Sequence, residues 1–470
     1  MTRMTGLDAS FLYMESPRLP MHTLKFGVLD LGGAPGGLRF DRVLEVLRAH
    51  LHLLPRLRER PLAVPFGVHH PLWVLDPAFD LAAHVHRVSL PAPGGDLELD
   101  ALVARVAAEP LARDRPLWGL WIVEGVQLPD SAGPHVGFVL KLHHAVADGV
   151  ASVELLLRAM QALAVDGAER AAPASLPGRG ALVRRALGEH LRQLTGLPAL
   201  IGHSVRAGLR ARRLLRGAAV RPPALFSGRR TVFNGVVSPR RSFTRAELAL
   251  PQVRRVKDRL GCTVNDVVLA VVAGALRAYL QARGEPTDEP LIASIPASTR
   301  DEDDEPGPDG NQVASLYTRL HVEIADPIAR LRAIQRCTTA AKQLHRTVGG
   351  DLLARWLEFT REAPHRLLWH HLLPRLARPP VHLVVSNVPG PAAPLLVEGA
   401  RLVRVASVGP LLEGVGLNVT VWSYLDTLCF SVLACAEAVP DLPALAAELR
   451  AALEQLDAAA TAIDAAASRP

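Results

Sequence analysis

A chain of 470 residues exceeds what one ordinary core holds and fits two units of roughly 200 residues each. Apolar residues make up 49 % of it, enough for two sizeable cores. The four cysteines (Cys262, Cys337, Cys429 and Cys435) show no CxxC pairing, which argues against a zinc site or a disulfide framework and for a reducing compartment. The net charge of +7 is unevenly spread: residues 179–230 hold twelve Arg against one acidic residue, Glu189, and the rest of the chain is slightly acidic.

The N-terminus, Met-Thr-Arg-Met-Thr-Gly-Leu-Asp, has no apolar h-region, so no secretory signal is expected. No run of about 18 uncharged apolar residues stands out, so no membrane-spanning helix is expected. Any membrane contact should then be peripheral and on the cytoplasmic side.

Residues 39–54 read as an amphipathic helix, with Val43, Leu44, Leu47 and Leu51 at helical spacing. Residues 99–111 read as a second helix, and Pro116 marks a break after it. Residues 135–144 read as a strand. A helix starts at Gly149 and runs to about Leu163, with Val150, Val153, Leu156, Leu157 and Met160 on its apolar side. The Ala/Pro/Ser-rich stretch 171–178 is a linker by composition. The arginine-rich stretch that follows is expected to be helical, closed by Pro222-Pro223. A second unit opens near Thr231, with a long apolar helix over 264–283 and strands over 291–295 and 381–386. Residues 417–423 and 427–434 form a hairpin around Leu425-Asp426. A last amphipathic helix carries Leu442, Leu445, Leu449, Leu453 and Leu456, and its Ala-rich end is expected to fray. Strands and helices in both halves predict α/β or α+β layers in each. The expected division is 1–170, a basic linker over 171–230, and 231–470.

The chemistry concentrates at His143-His144-Ala-Val-Ala-Asp148-Gly149, where a strand ends and a helix begins. A rigid strand positions side chains there while the turn leaves them open to a channel. An imidazole, with an ordinary pKa near 6.5, takes a proton from an alcohol at neutral pH. Asp148 stands where it can orient or neutralise a cation, and Gly149 permits close backbone approach. The competing reading, a chance meeting in a chain with 18 histidines, is weakened by the apolar strand that precedes the motif.

This pattern resembles that of the coenzyme A-dependent acyltransferase superfamily, and more closely the bacterial wax ester synthase/diacylglycerol acyltransferases. The resemblance rests on blocks in the family's order, from Gly6-Leu-Asp8-Ala-Ser-Phe11 to Val439-Pro440-Asp441. Between them come Pro116-Leu117-Trp118, the histidine motif, Thr263-Val-Asn265-Asp266, Pro296-Ala-Ser298-Thr-Arg300, Gly310-Asn311, Ser386-Asn387-Val-Pro389-Gly390-Pro391 and Gly416-Leu-Asn418. The resemblance implies two chloramphenicol-acetyltransferase-like domains with an active-site channel between them. It implies His144 as general base, beside His143, and a structural salt bridge for Asp148, for which Arg300 is a candidate partner. Asn265 and Asp266 match a block needed near the active site, and Pro116, Leu117 and Trp118 a block that supports structure. Ser386 and Asn387 are candidates for the channel lining; turn formation is the alternative. For Asn265 and Asp266 the alternative is helix capping. The implied reaction moves a long-chain acyl group from acyl-CoA, as co-substrate, to diacylglycerol or a long-chain alcohol, with no permanently bound cofactor and no metal.

The chain departs from the family pattern at Pro110-Leu111-Ala112-Arg113, where Pro-Leu-Asp-Arg is usual, at Gly119 in place of glutamate, and at Ala434-Cys435-Ala436, where an acidic residue is common. These bear on substrate preference more than on catalysis. Leucines interleave the arginines of the basic segment, which suits a membrane or lipid-droplet surface better than a solvated linker. Absent aromatics between Arg179 and Arg221 speak against nucleic acid. Residues 365–376 are a second candidate surface. Two other functions compete with the acyl-CoA reading: a condensation-type enzyme using carrier-bound acyl groups, and a non-catalytic lipid-surface protein.

Overall fold

The computed structural model describes residues 1–34, 40–129, 131–147, 178–298, 311 and 313–467. The first part of the chain supplies strands β1 (Thr2–Arg3), β2 (His22–Asp30), β3 (Glu59–Leu62), β4 (Leu72–Leu75), β5 (Val85–Ser89), β6 (Trp118–Leu128) and β7 (Ser131–His143). Helices α1 (Gly6–Met14), α2 (Phe40–His50) and α3 (Asp96–Ala108) lie among them. After the long α4 (Arg179–Gly217) come β8 (Arg241–Ala249), α5 (Leu250–Leu260), α6 (Val264–Gln281), β9 (Ile292–Ser298), β10 (Val313–Arg319), α7 (Pro327–Val348), α8 (Leu352–Leu357) and α9 (Glu362–Arg366). The chain ends with β11 (Leu383–Val388), β12 (Leu396–Val397), β13 (Ala400–Val408), β14 (Leu417–Tyr424), β15 (Thr427–Cys435) and α10 (Leu442–Ala467).

These elements build two six-stranded mixed sheets, ordered β12-β13-β2-β7-β6-β5 and β10-β9-β11-β14-β15-β8. The second has its own apolar core, while the core on one face of the first, around Phe26 and Val139, also takes in Phe243, Cys429 and Leu433 of the second. β2 is buried from His22 to Leu29 although it carries His22, Thr23 and Lys25, so both faces of the first sheet are covered. In the second unit α6 is the central helix. Thr263 and Asp266 cap its start reciprocally, and thirteen of its residues are buried. By length and composition α6 could pass for a membrane span, although Asp266 and Arg277 interrupt its apolar run, as the sequence expectation of no uncharged run allows; it packs against α10 and α7 inside this unit. The five leucines expected on the last helix all face that core. That helix does not end with them but continues to Ala467. The β14–β15 hairpin turns at Leu425, whose φ is +52°.

The division at residue 230 needs one correction. β12 and β13 come from the C-terminal half but belong to the first sheet, where β13 pairs antiparallel with β2 from Val408↔Leu24 to Arg401↔Asp30. Strand alternation in a sequence tells which residues face a core but not which sheet a strand joins. The basic stretch forms one helix, α4, that runs through Pro198. The expected helix over 149–163, the linker up to residue 177, and Asp148, Gly149 and Arg300 lie outside the described residues.

A buried arginine ties the halves together. Arg245 of β8, with a 5 % exposed side chain, bonds Asp100 Oδ1 of α3 at 2.6 Å and also Asp96 Oδ1. Burial pushes the Asp100 carboxyl up to about 7, against the pull of Arg245 beside it. Removing one partner of such a pair leaves an uncompensated charge or acid in the interior. Arg245→Gln should lower unfolding stability by about 3 kcal/mol, read from chemical-denaturation midpoints, whereas Asp100→Asn should cost clearly less.

Candidate active site

β7 ends in the histidine pair, and the backbone of the next turn is held on every side. The N–H of His143 donates to Leu117 O (3.0 Å), that of His144 to Met21 O (2.7 Å), and that of Val146 to His143 O (2.8 Å). His143 is fully buried, and its Nδ1 accepts the N–H of Ala145 at 3.0 Å. An imidazole nitrogen that accepts carries no proton, so in neutral His143 the proton sits on Nε2. That atom faces Glu15 Oε1 at 3.5 Å. The first histidine is therefore committed to shaping the turn.

Glu15, just past the end of α1, is the centre of a buried polar cluster. His22 Nε2 lies 3.2 Å from the same Oε1. Arg113 grips Oε2 with two nitrogens, Nη2 at 2.6 Å and Nε at 2.9 Å, and also donates to Leu12 O at 2.8 Å. Burial alone would raise the Glu15 carboxyl. The contacts from His143 and His22 outweigh it and hold the group well below the usual carboxylate range. His22 itself is driven down to about 3 by burial, so it is neutral at physiological pH. Two residues ahead of His143, the buried ammonium of Lys141 donates to Val106 O at 2.7 Å and to Glu109 O, capping the end of α3. Burial brings it down to about 8.

His144 is the half-buried member of the pair. Its ring stacks on Phe11 of α1, with centroids 4.1 Å apart and planes at 23°. Its carbonyl accepts Asn311 Nδ2 at 2.8 Å. Asn311 is fixed in turn by buried Asp8, whose Oδ1 accepts both Asn311 Nδ2 (2.6 Å) and Asn311 N (3.0 Å). Burial raises the Asp8 carboxyl, and the bonds from Asn311 limit the rise. The turn bearing His144 is thus clamped between α1 and the segment leading into β10.

The other residues singled out in the sequence divide clearly. Leu117 and Trp118 are buried beside Pro116; Leu117 O holds His143, while Trp118 stacks on His84 and bonds Leu57 O at 2.8 Å. Asp266 is a cap: Oδ2 accepts from Thr263 N and Oγ1, and Oδ1 accepts from Thr338 Oγ1 at 3.1 Å. Asn265 is not spent that way. It lines a mostly apolar cavity of about 140 Å³ together with Pro296, Ala297, Thr318, Thr338 and Lys342. β9 and β10, which wall this cavity, pair up to Ser298↔Val313, two residues short of Asn311. Ser386 and Asn387 are half-buried on β11, in register with Thr420 and Val421 of β14. The sequence assigns no role to Asp8, Glu15, His22 or Arg113. Asp8 and Asn311 stand in blocks of the family pattern, whereas nothing local marks Glu15 or His22.

A family described as the wax ester synthase/diacylglycerol acyltransferase catalytic domain matches residues 4–268, and the WS/DGAT C-terminal domain matches residues 309–457. The chain belongs to this family. Two Mycobacterium tuberculosis relatives, provisionally named diacylglycerol O-acyltransferases, are 37 % and 38 % identical to it. The first match covers 97 % of this chain and 90 % of the relative, the second 98 % of each. Among solved structures, the wax ester synthase/diacylglycerol acyltransferase from Marinobacter aquaeolei VT8 shares the fold, at a TM-score of 0.68 and 24 % identity over 98 % of this chain and all of that one. The first condensation domain of the CDA synthetase shares it at 0.60 and 16 %, over 98 % and 96 %. The two-unit acyltransferase architecture expected from the family is the one observed.

The cluster makes a pH prediction. His22 has a lower pKa folded (about 3) than the ordinary 6.5 expected unfolded. Between those values the unfolded chain binds a proton that the folded chain does not, so stability from this site is complete above about pH 6.5 and declines as pH falls. At pH 5 the loss amounts to about 2 kcal/mol. His22→Gln should flatten that part of the profile, measured as denaturation midpoints at pH 7 and pH 5. An unchanged slope would place the titration elsewhere.

Proposed function

We propose that this protein transfers a long-chain acyl group from acyl-CoA to the hydroxyl of diacylglycerol or of a long-chain alcohol, with His144 as general base. The observation that carries the reading is the presentation of His144. Its backbone is fixed on both sides, its ring rests on Phe11, and its partner His143 is already committed to the turn. A base held this firmly reaches one substrate proton without reorganising.

In the reaction, His144 removes the hydroxyl proton as the oxygen attacks the thioester carbonyl. The tetrahedral oxyanion collapses, the C–S bond breaks, and the coenzyme A thiolate takes the proton back from His144. One ester and one free thiol result, with no acyl-enzyme and no resident cofactor required. Oxyanion stabilisation calls for preorganised donors, and Asn265, free of capping duty in the cavity wall, is the candidate. The donor's route has support in the cavity's mouth. Lys342 is shared with an adjoining cleft that also contains Arg346, and this pair supplies cations for a phosphate-bearing coenzyme. Family membership favours this reading over a condensation-type enzyme, because the condensation domains share the fold alone.

The test is incubation of purified protein with labelled acyl-CoA plus diacylglycerol or hexadecanol. Wild type should form labelled ester and His144→Ala should lose at least about 100-fold in rate, the usual minimum for removing a general base. Both proteins should melt alike. Retention of more than about a tenth of the rate would remove His144 from the chemistry.

A further inference from the structure

Three surface elements far apart in sequence adjoin on one side of the protein. α4 packs against α8 and against the Pro65–Gly67 turn. Side chains pin it there: Trp356 Nε1 donates to Ser204 Oγ at 3.0 Å, and Arg361 Nη2 lies 3.0 Å from His190 Nε2. Beyond α9 the chain continues as a π-helical turn, Leu367–Leu372.

The apolar side chains on this side point outward. On α4, Leu187, Leu191, Leu194, Ile201, Val205 and Leu209 are all exposed. Their spacing keeps them in one stripe of a helix with 3.6 residues per turn. The buried residues of α4, Leu182, Ala186, Leu200 and Ala207, fall on the opposite side. Leu367, Leu368, Leu372 and Leu376 are exposed beside it. Phe66, at φ +63°, is 93 % exposed at the tip of its turn and borders a groove of about 710 Å³ that reaches Leu367. Soluble proteins rarely leave this many large apolar side chains uncovered on one side unless something docks there. Charge identifies the occupant. α4 carries nine Arg against Glu189, and Arg184, Arg206 and Arg213 flank the apolar stripe. A leucine face bordered by arginines suits a lipid interface with anionic headgroups.

The site lies one helix away. α1 packs against α8 and α9, Gly6 N donates to Glu358 Oε1 at 2.5 Å, and His370 Nε2 lies 3.0 Å from Tyr13 O. The same α1 bears Phe11, on which His144 stacks. We infer that α4, the Leu367–Leu376 segment and Phe66 form a single docking face for an anionic phospholipid surface, placing the His144 site next to the phase that holds an oily acceptor. The purpose of the docking rests on the proposed reaction; the docking itself does not.

Flotation with vesicles of phosphatidylcholine alone, or mixed equally with phosphatidylglycerol, tests this without turnover. Wild type should float with the anionic vesicles, less so at high salt. Changing Arg206, Arg210, Arg212, Arg213 and Arg216 to Gln should abolish the preference for anionic over neutral vesicles. Phe66→Asp with Leu372→Asn should cut the bound fraction at least tenfold, and Asp tolerates a positive φ, so the turn survives. This variant should melt like wild type and acylate a dissolved short-chain alcohol at the wild-type rate. Equal flotation of all three proteins, or capture by RNA in place of vesicles, overturns the inference. Normal flotation by a wild type that forms no ester from any alcohol would instead fault the proposed reaction and leave the docking face standing.

Discussion

Much of this structure depends on keeping one negative charge out of water. Glu15 is buried between two imidazoles and a bidentate guanidinium. A carboxylate isolated in the interior would be prohibitively unfavourable, so each partner must be in place for the others to be tolerated. Arg113 comes from the stretch before β6, His22 from the start of β2, and His143 from the end of β7. One charge thereby registers the two central strands of the first sheet against α1. The turn that carries His144 inherits its position from that registration, because His143 cannot move without uncovering Glu15.

The second unit completes the arrangement from the other side. Asn311 reaches the His144 carbonyl while anchored to Asp8, so the two halves meet at His144. β13 crossing into the first sheet and Arg245 bonding α3 make their relative position a property of the fold more than of a flexible linker. The general-base role proposed for His144 would need that rigidity, since an error of about 1 Å in placement costs orders of magnitude in rate.

What the sequence revealed and what it hid follow from the range of the interactions. The α6 helix, the β14–β15 hairpin and the strand ending at His143 were legible because period and turn chemistry are local. The motif marked His144 because the residue types that define it are consecutive in the sequence. Glu15 and His22 meet His143 across more than a hundred residues, and no spacing rule reaches that far. The membership of β13 in the first sheet was hidden for the same reason. At Asn265-Asp266 the capping alternative holds for Asp266, while Asn265 lines the cavity.

On the proposed mechanism, the Glu15 cluster touches the chemistry only through the placement of His144. A double-mutant cycle on the acyl-transfer rate tests this most directly, because groups acting as one unit are not additive. Glu15→Gln should slow the wild-type enzyme, yet change the residual rate of His144→Ala by less than about twofold. If the two losses multiply instead, Glu15 contributes to the transition state independently of His144, and its role is not one of positioning.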